Sequence, residues 1–135
     1  EIILFVKSII YKLNKKNYLI IITTDNKKNR LTDKLNFLFR YKKIDNYAID
    51  EKDNIFIPQA NLYDLTSIIK NSDLIITFHS GYIVHTSSAL NKKLLDFHEM
   101  TINNVYNKWM SKQSDSKQLI YKSLNNIVDV VLNEL

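Results

Sequence analysis

Two short, unbroken apolar runs constrain this chain more than any other feature. Tyr18–Thr23 (YLIIIT) and Asp73–Phe78 (DLIITF) are isoleucine-rich and too short for helices. That is the pattern of strands buried on both faces of a parallel sheet. Between and around them the apolar period changes to that of a helix. Ile2, Ile3, Val6, Ile9, Ile10 and Leu13 share one face of a predicted helix over 2–13, and Leu31, Leu35, Leu38 and Phe39 share one over 31–41. Leu62, Leu65, Ile68 and Ile69 do the same over Leu62–Lys70. Further helices are predicted at Tyr82–Leu90, about 103–111 and 116–134, and strands at Asn54–Pro58 and Lys93–Phe97, with a weak one at Tyr47–Ile49. Strands alternating with helices give right-handed βαβ units. The expected fold class is therefore α/β, a Rossmann-like parallel sheet with helices on both faces, in a single domain over 1–135 with no repeat or linker.

Composition narrows the function classes. At 135 residues, 45% hydrophobic and 24% charged, the chain reads as one globular domain, not a disordered tail. No apolar run approaches the roughly 20 residues of a membrane-spanning helix. A basic leader with a cleavage site is missing as well, and the opening at Glu1 reads as a processed product or a fragment. The net charge of +5 suggests a nucleic-acid partner only weakly. The 17 lysines are spread along a chain that also holds 19 Ile and 16 Asn, a coding bias, and Arg30 and Arg40 are the only arginines. No nucleic-acid partner is expected. With no cysteine, thiolate metal sites, disulfides and a Cys nucleophile are excluded.

Chemistry is implied at one place. The single glycine, Gly81, stands where strand Asp73–Phe78 turns into the next helix, within Phe78-His79-Ser80-Gly81-Tyr82. The other turns use Asn and Asp, which tolerate left-handed backbone angles. A retained glycine then suggests an extreme φ or a close approach to the backbone. The carboxyl edge of a parallel sheet is where α/β domains bind ligands, and a helix N-terminus attracts anions. Ser80 is placed to cap the helix or to bond a phosphate oxygen, and His85 lies one turn in. The plainer reading is a tight turn capped by Ser80. Asp96 and Glu99 flank a strand end as an acid/base pair or as solvated loop carboxylates. His79, His85 and His98 lack a metal-ligand spacing, and one glycine excludes phosphate loops and nucleophile elbows.

The stretch DLIITFHSGYIVHTSSALNKKLLDF, preceded by the helix Leu62-Tyr63-Asp64-Leu65, resembles the C-terminal half of glycosyltransferase family 9, the heptosyltransferase-like enzymes. Ser72-Asp73-Leu74-Ile75-Ile76 corresponds to the family's strand, Ser80-Gly81 to its Thr-Gly, and His85 with Ser88-Ala89-Leu90 to its His followed by small residues. Tyr106 and Trp109 resemble a later aromatic segment. His79 stands where the family has Asp, the Gly-to-His spacing is one residue longer, Asn91 replaces a glycine and Lys93 a proline. The resemblance implies the donor-binding half of a GT-B-type inverting enzyme of lipopolysaccharide or surface-glycan assembly, cytoplasmic and at most peripheral to the inner membrane. It implies a nucleotide-diphosphate-sugar donor held by His79, Ser80, Gly81, Tyr82 and His85, with Thr24, Asp25 and Pro58 as further site candidates. No cofactor or metal is expected, and the catalytic carboxylate and the glycan or lipid-linked acceptor would belong to an N-terminal half. The alternatives are a small flavodoxin-like binding or signalling module and a degenerate structural half-domain.

Overall fold

The computed structural model describes residues 2–25, 29–78, 80–99 and 115–135, with Glu99 described by its backbone alone. The chain forms two compact units, 1–61 and 62–135.

The first unit opens with α1 (Ile2–Asn14), whose Phe5, Val6, Ile9, Ile10 and Leu13 are buried. Asn17, at φ 64°, ends it, a left-handed cap of the kind Asn adopts readily. Then come β1 (Ile21–Thr24), α2 (Arg30–Leu38), β2 (Lys42–Ile44), β3 (Tyr47–Ile49) and β4 (Ile55–Pro58). The sheet runs β1-β4-β3-β2. Only β1 and β4 are parallel; β2 and β3 form an antiparallel hairpin, and β3 pairs antiparallel with β4. Asp45, at φ 48°, supplies the positive angle that a tight hairpin turn requires. An all-parallel sheet is thus corrected here: the weak strand at 47–49 is real and returns on a partner. The first apolar run is corrected too. In its sheet β1 is an edge strand, and Ile21 is exposed rather than buried on both faces.

Asn54 ties this unit together. It is fully buried, yet its side chain accepts from the Ile20 N–H at 3.1 Å and from Asn14 Nδ2 at 2.9 Å. It also donates to Asn14 Oδ1 and to Asp50 Oδ2, each at 2.8 Å. Both donors and both lone pairs of the amide are used, which is what makes its burial tolerable. The core beside it holds Leu35, Phe39 and Phe56, the two rings 5.8 Å apart.

The second unit contains α3 (Leu62–Lys70), β5 (Ile75–Thr77), α4 (Gly81–Ala89), β6 (Leu94–Glu99), β7 (Ser116–Tyr121) and α5 (Leu124–Glu134). Its sheet is parallel throughout, in the order β5-β6-β7, so the α/β class with a parallel sheet stands. Ile75, Leu94 and Ser116 share one level of the sheet, and Thr77, Asp96 and Gln118 the next level toward the carboxyl edge, on the same face. On that face Ile75 and Leu94 pack with Ile69 of α3 and Val84 of α4. Lys117 belongs to the opposite face and bonds Glu134 of α5 at 2.7 Å, so helices cover both faces.

The helix predicted over 116–134 is corrected: its first part is the strand Ser116–Tyr121 and only 124–134 is helical. The apolar residues Leu119, Ile120 and Tyr121 fit a strand once β6 offers a row of hydrogen-bonding partners. The helix predicted at about 103–111, with Tyr106 and Trp109, lies outside the described residues.

Candidate functional site

The carboxyl edge of β5-β6-β7 gathers the polar groups that the core would otherwise reject. Thr77 at the end of β5, Asp96 and His98 on β6, and Gln118 on β7 lie on one sheet face, since residues two apart on a strand point the same way. Asp96 is 0% exposed and His98 4%. Imidazole Nε2 of His98 lies 2.9 Å from Asp96 Oδ2 and 2.8 Å from the side-chain nitrogen of Gln118. One ring nitrogen cannot donate to a carboxylate and accept from an amide at once. Assigned for an ionised Asp96, the one Nε2–H is shared between Asp96 Oδ2 and, with the Gln118 amide turned over, the Gln118 oxygen. Neutral His98 then carries its lone pair on Nδ1.

Two further features frame this layer. The Ser80 N–H donates to Thr77 Oγ1 at 3.3 Å, so α4 springs directly from it. Behind the sheet, Phe78, Phe97 and Tyr121 form an aromatic cluster with ring centroids 5.9 to 6.4 Å apart. Among the described residues no group of three His, Asp or Glu is placed to hold a metal ion.

The residues singled out from sequence fall differently. Ser80 occupies the N-cap position of α4 but makes no side-chain capping bond. Gly81 has no positive φ, and a Cβ built on it would meet nothing within 4 Å. An extreme φ is therefore not the reason for the glycine, and that part of the inference from its rarity is corrected. Tyr82 turns away from the strand ends: its hydroxyl donates to the Leu62 carbonyl at 3.3 Å and bonds the Thr66 hydroxyl, which ties α4 to α3. His85 is exposed on α4. His79 lies outside the described residues. Thr24 and Pro58 face each other in register at the ends of β1 and β4, with Asp25 next to Thr24, all in the first unit. Thr24 Oγ1 lies 3.3 Å from the buried Thr32 hydroxyl. Asp96 is a buried carboxylate, not a solvated loop residue, and its partner is His98; the Glu99 side chain is not among those described. The signal for that pair was the spacing Asp-Phe-His in a strand, which places both side chains on one face.

No protein-family model and no curated protein matches the chain. One solved structure that matches is a Clostridium botulinum CMP N-glycosidase, BcmB, at 14% identity, covering 82% of this chain and 97% of that one with a TM-score of 0.46. The reading as a glycosyltransferase family 9 donor half is therefore corrected. No protein-family model matches, that family's included. No helix among the described residues is long and apolar enough to cross a membrane.

Proposed function

We propose that residues 62–135 form the reaction centre of a hydrolase for a small polar substrate, with the Asp96–His98 pair as its proton-transfer machinery. The observation that supports this is a carboxylate with 0% exposure, 2.9 Å from a buried imidazole, near the end of the central parallel strand. Removing a carboxylate from water carries a penalty of several kcal/mol, and apolar residues fill such a position at less cost. A buried acid–imidazole pair at the carboxyl edge of a parallel sheet is the arrangement expected of a site that moves protons.

In this reading Asp96 fixes the Nε2–H tautomer and stabilises the imidazolium once it forms. Nδ1 is buried in this structure; in this reading substrate and water enter by opening the layer at that atom, and Nδ1 then takes a proton from the attacking water and returns it to the leaving group. The first-turn N–H groups of α4, which starts from the same layer, offer fixed positive potential to charge developing on the departing group.

The test is a substrate panel of p-nitrophenyl acetate, p-nitrophenyl phosphate and CMP, the last because the matched structure is a CMP N-glycosidase. It is run on the wild-type chain, His98→Gln and Asp96→Asn, alongside ¹⁵N spectra of the imidazole. Turnover of at least one compound is expected, falling about 10²–10⁴-fold in His98→Gln. The ring should carry its proton on Nε2. An Nδ1–H ring, no turnover of the panel, or equal turnover by wild-type and folded His98→Gln overturns the reading.

A further inference from the structure

The first unit carries a second feature, independent of the Asp96–His98 layer. An open groove of about 470 Å³ is lined by Ile3 and Lys7 of α1, Asp33, Lys34, Phe37 and Leu38 of α2, and Arg40. Its floor is apolar, and its large ring is left in water: Phe37 is 68% exposed. Leu4, next to Ile3 in α1, is 70% exposed and Tyr41, next to Arg40, is 67% exposed. Scattered apolar residues need no explanation, but a large exposed ring set among Ile3 and Leu38 in a concave surface marks an interaction site.

The charges around that floor are unequal. Lys7, Lys34 and Arg40 oppose the single carboxylate Asp33, and all four residues are exposed. Arg40 is held in place: its guanidinium stacks 4.2 Å from the Phe37 ring centre while Nη1 donates to the Phe37 carbonyl at 2.9 Å. A fixed guanidinium over an exposed ring presents an apolar surface and a fork of donors together. Arginine and aromatic residues are enriched at protein interfaces, where lysine is depleted. This chain has only two arginines, so one of them fixed at the groove is not explained by its lysine bias.

We propose that this groove docks an acidic amphipathic helix of a partner protein. Apolar side chains at i, i+3, i+4 and i+7 would fill the floor between α1 and α2, and flanking carboxylates would meet Lys7, Lys34 and Arg40. The open form suits a helix laid along it better than a small molecule, which sites of this volume bury on most sides.

The test uses the full chain and two fluorescein-labelled 18-residue probe peptides. Both carry Leu and Phe at i, i+3, i+4 and i+7; one has Glu at the remaining positions and the other Lys. The acidic probe is expected to bind with an affinity that weakens between 50 and 300 mM salt, and the basic probe is expected not to bind. Phe37→Ser and Lys34→Glu change exposed side chains, and each should weaken binding about tenfold or more while circular dichroism stays unchanged. Equal binding of both peptides, or variants that bind like the wild type, overturns the proposal. So does capture by vesicles of 30% phosphatidylserine in preference to the acidic probe.

Discussion

Replacing Asn54 by Ala removes a side chain that makes four hydrogen bonds at zero exposure. Some partners keep other bonds. Asp50 Oδ1 still accepts from the backbone N–H groups of Lys52 and of residue 54, and Asn14 Nδ2 still donates to the Tyr18 carbonyl at 2.7 Å. The groups that lose the partner seen here are the Ile20 N–H, Asn14 Oδ1 and Asp50 Oδ2, the last on a half-buried carboxylate that keeps two donors on Oδ1. Each buried polar group left unsatisfied costs about 1–3 kcal/mol; the bonds to the Ile20 N–H and Asn14 Oδ1 are only part-buried, so about 1–2 kcal/mol each gives an expected loss for the 1–61 unit of about 2–4 kcal/mol. Hydrogen exchange read by mass spectrometry suits the question, because it follows peptides of α1, β1 and β4 separately from the rest of the chain. The slowest peptides of α1, β1 and β4 should exchange about 30- to 800-fold faster. An Asn14→Ala, Asn54→Ala cycle should show coupling, because the two amides bond each other twice. Acceleration below about fivefold would refute the reasoning, since it would mean that water satisfies the site as well as the amide does.

Two further outcomes are open to simple tests. Gly81→Ala should stabilise the second unit by about 0.5–1 kcal/mol in urea titrations, since Ala favours helix and a Cβ meets nothing there; a loss of stability would show that the turn does require glycine. Glu134 is held below the usual carboxylate range, chiefly by its hydrogen bond with Lys117. Its contribution is therefore present in full above the ordinary glutamate range and lost as pH falls through the lowered value, and added salt should shrink it. Acid titrations of wild type and Glu134→Gln check this, and identical pH profiles would count against the pair.

Much of the fold was legible because it rests on local period. Helices α1, α2, α3 and α4 and strands β4, β5 and β6 fall within a few residues of where their apolar spacing puts them. The use of Asn and Asp for left-handed turns was legible too: Asn17, Asp45, Asp53 and Asn91 all have positive φ, with Gln59 the other case among the described residues. Asn91 does at the end of α4 what glycine commonly does, with Lys92 N–H donating to the Ser87 carbonyl at 2.8 Å. What failed had a common cause. The rarity of Gly81 invited an explanation from an extreme φ, which it does not have, because the backbone angle there is set by how β5 leads into α4 and not by the residue type.

The sequence by itself determined which segments bury an apolar face, and so the α/β class, because side-chain period follows from backbone geometry alone. Tertiary structure decided everything that depends on partners. It turned 42–49 into an antiparallel hairpin, made a strand of Ser116–Tyr121 once β6 offered hydrogen bonds, and exposed β1 at a sheet edge. It also decided the site. Asp96 and Gln118 lie 22 positions apart in the chain, and only the register of β6 against β7 places them at one level, with His98 between a carboxylate and an amide. Whether such a carboxylate is solvated or buried is set by what packs over it, and that is not written in the residues on either side.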